Sequence, residues 1–434
     1  MKAIGKIGVA VAGLGVVGGA AYGIPHVVSA DGEDGSAAAE QRLRAKPEAG
    51  PSTAASPAGS APATAPAGGK AFTLVGTGDI IPYPSIIQRA ADDSAERGGY
   101  DFRKMLAGVK PIVSAADLAL CHHEIPYGRP GGPYTGYPLF KAPHQLADAL
   151  KDTGYDSCST ASNHTLDDGY DGLVRVLDHL DRVGIRHVGS ARGPEEAKAP
   201  ALLEAGGAKV AQLDYTYGTN GIPLPSGKPW AVNLIDQDRI IADARAARAA
   251  GANVVVLSVH WGSEWQTAPD QEQLDLARAL TASRGVDGLP DLDLILGTHN
   301  HVPQPYEKIN GTWVVYGMGD QVASFYEADK ARGNMSSIPR FTFAPAADRP
   351  GRWDVVKAEY LTQYSDMRPP FRVVCASCDG ADGADGADGA DGSGRSGRSG
   401  RSGADSTYAA VDREVTKAVM SRGAGEQGLA RATR

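Results

Sequence analysis

Six short polar clusters close apolar, strand-like stretches of this chain: Gly78-Asp79, Glu124, Asn163-His164, His260, His299-Asn300-His301 and Gly319-Asp320. One such residue at the end of one apolar run is ordinary. The same donor types recurring at run after run constrain the fold, because a sheet brings the ends of distant strands to one place. Residues 72–77, 118–121, 157–160, 254–259 and 292–296 read as strands. Between them Leu173, Val176, Leu177 and Leu180 repeat at helical spacing within 172–182, and 239–250 and 271–282 are rich in Ala, Leu and Arg. The alternation predicts an α/β fold, in which ligands gather beyond the carboxyl ends of the strands. Core histidines and capping aspartates would scatter over both ends of such a sheet. Their shared placement predicts one site, and acids, an amide and imidazoles together are the donors of a two-metal hydrolase.

Composition sets the limits of the folded part. Residues 31–70 are mostly Ala, Pro, Ser, Gly and charged side chains, which bury too little apolar surface to offset the entropy of ordering, so they read as a disordered linker. Asp-Gly-Ala repeats and then Ser-Gly-Arg repeats make 373–406 a second low-complexity linker, and their period of three, with no regular apolar position, does not fit a calcium-binding solenoid. One large domain is expected over 71–372. A tail over 407–434 follows, with a short helix carried by Tyr408, Val411, Val415 and Val419. Forty-three Lys and Arg against 51 Asp and Glu leave a net charge of -8, which argues against a nucleic-acid partner.

Residues 1–30 predict export. Lys2 and Lys6 precede an apolar Gly- and Ala-rich run, and Val28-Ser29-Ala30 offers a small-residue cleavage pattern; the segment reads as a signal peptide or a membrane anchor. The linker behind it would hold the domain away from the membrane or within a cell wall, so an extracellular protein or one anchored to the membrane at the cell envelope is expected.

Several stretches resemble the CapA family, named for poly-gamma-glutamate capsule biosynthesis. They are Gly78-Asp79, Ala116-Asp117-Leu118 through Glu124-Ile125-Pro126, Ser162-Asn163-His164-Thr165-Leu166-Asp167-Asp168-Gly169, and Gly297-Thr298-His299-Asn300-His301-Val302-Pro303-Gln304-Pro305-Tyr306-Glu307, extended by Val314-Val315-Tyr316-Gly317-Met318-Gly319. The resemblance implies the calcineurin-like metallophosphoesterase fold, layered β-sheets flanked by helices. It implies Asp79, Glu124, Asn163, His260, His299 and His301 as ligands of divalent metal ions, two in number, whose mixed oxygen and nitrogen donors suit manganese, iron or zinc. It also implies His164 as the catalytic imidazole, oriented by Asp167. The chain departs from the pattern at three places. Asp79 is followed by Ile80-Ile81 where Asp-x-His is usual, His122-His123-Glu124 stands where Asn-x-Glu is common, and Asp320 stands where Asn is common. His122, Trp261 and Asp320 are therefore expected just behind the ligands, with His122 able to replace an amide. The function implied is an exported metal-dependent hydrolase in poly-gamma-glutamate or capsule polymer synthesis, with an anionic polymer or phosphoester as substrate and membrane synthase subunits as partners. A non-catalytic polymer-binding or export accessory of such a synthase is the alternative.

Plainer roles compete. Asp167 or Asp168 could cap a helix entered through Asn163-His164-Thr165, and Trp261 could cover the metal pocket as packing or line the substrate cleft. Cys121 and Cys158, on strands this fold places side by side, are expected close enough to bridge. Cys375 and Cys378 read as a local disulfide or free thiols, since no second pair completes a zinc site.

Overall fold

The structure, a computed structural model, describes residues 69–378 and 398–432. The segment expected as a signal peptide or anchor, nearly all of the first linker and the Asp-Gly-Ala repeats lie outside the described residues. Among the described residues no helix is long and apolar enough to cross a membrane.

Among the same residues fifteen strands occur in chain order: β1 Phe72–Ile80, β2 Leu118–His123, β3 Ser157–Ser159, β4 Arg186–Val188, β5 Ala201–Ala205, β6 Ala208–Thr216, β7 Val254–His260, β8 Leu294–Thr298, β9 Tyr306–Ile309, β10 Thr312–Val315, β11 Asp320–Val322, β12 Met335–Pro345, β13 Trp353–Asp366, β14 Arg372–Cys375 and β15 Leu429–Arg431. One sheet runs β14-β13-β12-β1-β2-β3-β4, with β11 added beside β1 and β15 beside β13; the other runs β5-β6-β7-β8-β10-β9. β1 to β4 are parallel neighbours, and so are β6, β7, β8 and β10.

The two sheets face each other, and side-chain alternation decides which layer each residue fills. Phe72 and Leu74 of β1, Val254 and Val256 of β7, and Leu294 and Leu296 of β8 join one apolar layer with Phe341 and Phe343. Val255, Leu257, Val259 and Ile295 point the other way, onto helices Gln237–Ala249 and Gln271–Ala282. Val75, Ala119 and Cys121 turn outward onto a third layer, where helix Gly169–Val183 buries Leu173, Val176, Leu177 and Leu180. Covered on both faces, the central parallel strands are apolar at nearly every position, which is why they read as unbroken runs. Helix Gln271–Ala282 starts at a capping box in which Asp270 accepts from the Gln273 N–H and the Gln273 side chain accepts from the Asp270 N–H.

Two elements run past their expected ends. The short C-terminal helix spans Arg398–Val419, beginning within the second low-complexity stretch, and Val411, Val415 and Val419 enter the apolar layer between the sheets. β14 and β15, at and beyond the expected end of the domain, pair with β13. Both cysteine pairs are bonded: Cys121 and Cys158 are register partners on β2 and β3 with Cα atoms 4.4 Å apart, and Cys375–Cys378 closes a local loop.

Candidate metal centre

The carboxyl ends of the parallel strands in both sheets deliver the donors. Asp79 leaves β1, with His122 of β2 and Asp320 of β11 as its Cα partners on either side. β1 can lie this close to the loop before β11 because residue 78 is glycine: a Cβ there would stand 1.6 Å from the Gly319 carbonyl oxygen. Glu124 follows β2, Asn163 and His164 follow β3, His260 ends β7, and His299 and His301 occupy the loop after β8. That loop is backbone-strained, since His299 and His301 both sit at positive φ, 89° and 58°. The His299 N–H donates to Asp79 Oδ2 at 3.1 Å, tying the loop to the first sheet.

Three groups of donors form, each with its ligand atoms within 4.8 Å of one another: Asp79, His122 and His260; Asp79, His301 and Asp320; and Glu264, His299 and His301. Asp79 Oδ1 lies 3.6 Å from His122 Nε2 and 3.7 Å from His260 Nδ1, and His260 Nε2 lies 3.9 Å from Glu124 Oε1 and 2.9 Å from Asn163 Oδ1. All six residues expected as ligands thus meet in one place. His122 and Asp320, expected just behind the ligands, lie within the same donor groups, His122 with Asp79 and His260 and Asp320 with Asp79 and His301. Trp261 packs elsewhere: its Nε1–H donates to the Tyr316 carbonyl and its ring is buried in the outer apolar layer.

Several donor atoms are left bare. His122 Nε2, both Glu124 carboxylate oxygens, His299 Nδ1 and Asp320 Oδ2 are buried without a hydrogen-bond partner. Such groups cost stability unless something satisfies them. Burial, then repulsion from Asp320, pushes Asp79 up to about 8. Burial and the Asp79 and Asp320 charges push Glu124 well above the usual carboxylate range, and burial raises Asp320 against the pull of His301. Burial and then neighbouring imidazoles depress His122 to about 3 and hold His260 and His299 well below the usual imidazole value. Burial pulls His301 down, but Asp320 at 3.0 Å together with the Asp79 and Glu264 carboxylates carries it, alone among these imidazoles, up to about 9. Neutral imidazoles with free lone pairs beside acids that a cation would deprotonate fit divalent metal ions.

Beside these donors, Asp167 Oδ2 accepts from His164 Nδ1 at 2.7 Å and from the Phe140 N–H at 2.8 Å. Asp168 precedes helix Gly169–Val183 but makes no capping bond; it pairs with Arg175 and Lys141. Neither aspartate acts as a cap. Three residues that sequence reasoning missed complete the surroundings. Tyr217 lays its ring 4.6 Å from that of His299, Asn220 accepts from Asn163 Nδ2 at 3.2 Å, and Glu264 joins the third donor group. Tyr217 and Asn220 follow β6 as the other clusters follow their strands, a signal available in the sequence. A fourth, Asp214 of β6, accepts from the Thr160 and Ala161 N–H groups at 2.8 and 2.7 Å and fixes the loop leading to Asn163.

The model of the family described as "Bacterial capsule synthesis protein PGA_cap" matches residues 73–324, from β1 to just past β11. The chain belongs to this family. Every donor of the centre lies inside the matched PGA_cap region. The chain is similar to the PGA biosynthesis protein CapA of Bacillus subtilis (strain 168), at 29% identity over 175 residues, 40% of this chain and 44% of that protein. It is also similar to a probable polyglutamine synthesis accessory protein of Mycobacterium tuberculosis (strain CDC 1551 / Oshkosh), at 29% over 220 residues, 47% of this chain and 54% of that protein. It spans about half the length of these curated relatives. Among solved structures it is similar to a 5'-nucleotidase precursor from Thermus thermophilus, with 17% identity, a TM-score of 0.41, and coverage of 70% of this chain and 54% of that one.

Proposed function

We propose that this PGA_cap protein is an exported, metal-dependent hydrolase with a metallophosphoesterase-type site, acting in capsule or poly-gamma-glutamate synthesis at the cell envelope. One observation carries the reading: bare, buried donor atoms from remote parts of the chain face one volume. Asp79, His122, Glu124, Asn163, His260, His299, His301 and Asp320 would hold the ions, manganese, iron or zinc by their donor chemistry. Bound there, the metals supply Lewis acidity toward a phosphoryl oxygen and lower the pKa of a water. The protein's own part falls to His164. Asp167 holds Nδ1–H and so the ring's orientation, and in the doubly protonated form Nε2–H is the group that gives its proton to the leaving group. Burial of the donors excludes bulk water.

Elemental analysis of the purified chain after manganese loading, with hydrolysis of a generic phosphodiester by the wild type and His164→Ala, tests this. Bound metal and a large loss in the variant are expected; no metal uptake and no effect of the substitution overturn it.

A second reading, a polymer-binding accessory of a membrane synthase, is favoured by the word "accessory" in the name of the mycobacterial relative. Capture of synthase subunits that survives His299→Ala with His301→Ala supports it, and loss of capture in that variant speaks against it.

A further inference from the structure

A wall of rings runs from His164 to His301 around a cavity of about 380 Å³ that both histidines line. The Phe140 ring meets His164 at 4.9 Å and Tyr83 at 5.2 Å; Tyr83 meets Phe325 at 5.2 Å; Phe325 meets Trp265 at 4.9 Å; and Trp265 lies 5.3 Å from His301. Trp265 is held there at a positive φ of 67°, its N–H donating to the Asn300 carbonyl of the His299–His301 loop. Tyr137 and Tyr326 stand at the rim, 78% and 70% exposed, among the few large apolar side chains the fold leaves in water. The volume falls within the usual range for small-molecule sites, roughly 300 to 1,000 Å³.

We propose that this cavity seats the leaving group of the substrate and that the leaving group is a sugar ring, so that the substrate class is a glycosyl phosphoester. This rests on the hydrolase reading above. Position decides the leaving-group assignment, because the cavity opens on the imidazole that donates the proton. As a water loses one proton to solvent and adds its oxygen to phosphorus, the bond from phosphorus to the sugar oxygen breaks, that oxygen takes the Nε2 proton of His164, and solvent returns a proton to His164. Chemistry decides the class. Aromatic faces pack on the C–H face of a pyranose, while Glu264, Glu327 and the Ser85–Ser324 hydroxyl pair offer partners to its hydroxyls. Among the described residues Lys330 is the one lysine or arginine in the lining and is engaged over the Trp265 ring at 5.1 Å, so two carboxylates make the cavity inhospitable to a polyanionic γ-glutamyl chain. Along most of the wall neighbouring rings meet at 69° to 89°, so it offers edges and single faces in place of a parallel pair that would clamp a flat base.

Saturation-transfer NMR on the full chain without added metal tests this independently of turnover, with glucose 1-phosphate, glycerol 1-phosphate, AMP and a γ-glutamyl trimer as probes. Glucose 1-phosphate should bind about tenfold tighter than glycerol 1-phosphate, and Tyr137→Ala with Tyr326→Ala should remove roughly three- to tenfold of that affinity, the worth of about one aromatic contact. Tryptophan fluorescence of the wild type, but not of Trp265→Phe, should respond to the sugar. Equal binding of glycerol 1-phosphate, stronger binding of AMP or the γ-glutamyl trimer, or no saturable binding overturns the proposal. In a parallel assay of the manganese-loaded chain, hydrolysis without ring preference sinks this inference alone, whereas ring binding without hydrolysis sinks the hydrolase reading and the leaving-group assignment with it.

Discussion

His122 Nε2 lies 3.6 Å from Asp79 Oδ1, across the pairing of β1 with β2, and the His122 and His260 rings stack at 4.8 Å. Two neighbouring strands thus place an acid and an imidazole side by side at their carboxyl ends. His122 Nδ1 is hydrogen-bonded to Ser159 Oγ at 2.8 Å, which fixes the ring and leaves Nε2 bare. His123, beside it in sequence, faces the Tyr127 ring on the other side of the sheet.

His122→Ala should weaken metal retention by at least about 10- to 100-fold, read by competition with a chromogenic chelator. His123→Ala should lower thermal stability and leave metal affinity near the wild type. Equal metal affinity in His122→Ala and wild type would remove His122 from the ligand set.

Asp167→Asn should keep metal content and cut kcat by roughly 10²- to 10⁴-fold, because the orienting acceptor of His164 Nδ1–H is lost while the donors of the centre stay in place. Metal analysis and steady-state kinetics on the same preparation check it. Loss of metal in parallel with activity would mean that Asp167 acts on the fold of the loop.

Stability of the protein without added metal should fall as pH rises from about 6.5 to about 9. Folding raises Asp79 from its ordinary 3.8 to about 8 and His301 from 6.5 to about 9, so in this window the folded chain holds protons that the unfolded chain has lost. Each proton that the folded state keeps costs stability as pH rises, and the fall levels off once Asp79 and His301 deprotonate. His122, depressed to about 3, has the opposite sign, but its contribution is complete near pH 6.5. Melting curves with and without saturating manganese should diverge as pH rises, since the bound cation replaces those protons. Parallel curves would contradict the burial of unpaired acids.

The Cys121–Cys158 bond joins β2 to β3 one residue before His122, over a separation of 37 residues. Cys121→Ser with Cys158→Ser should cost about 2 to 4 kcal/mol in denaturant unfolding and loosen metal retention, whereas Cys375→Ser with Cys378→Ser, which closes only a short loop, should cost less. Equal midpoints for the first double variant and the wild type would show that packing alone holds the two strands.

Strand and helix periods, the apolar runs, the family resemblance and the six donor clusters were all legible in the sequence, because side-chain alternation and helical spacing are local properties of a chain. The same holds for His164 and Asp167, three residues apart in one loop. What the sequence left open were relations between strands. Whether His122 stands behind the donors or among them depends on the β1–β2 register, whether Trp261 lines a cleft or fills a core depends on which face of the second sheet it follows, and Glu264 joins a donor group only because the His299–His301 loop folds back against it. The C-terminal strand was hidden for the same reason, since β15 is three residues long and pairs only with β13. Sequence alone determined which chemical groups the chain carries and that they end strands. Only the tertiary structure decided which of them share a volume, because register and sheet packing are set by long-range burial, and a shift of one residue would turn each donor to the opposite face.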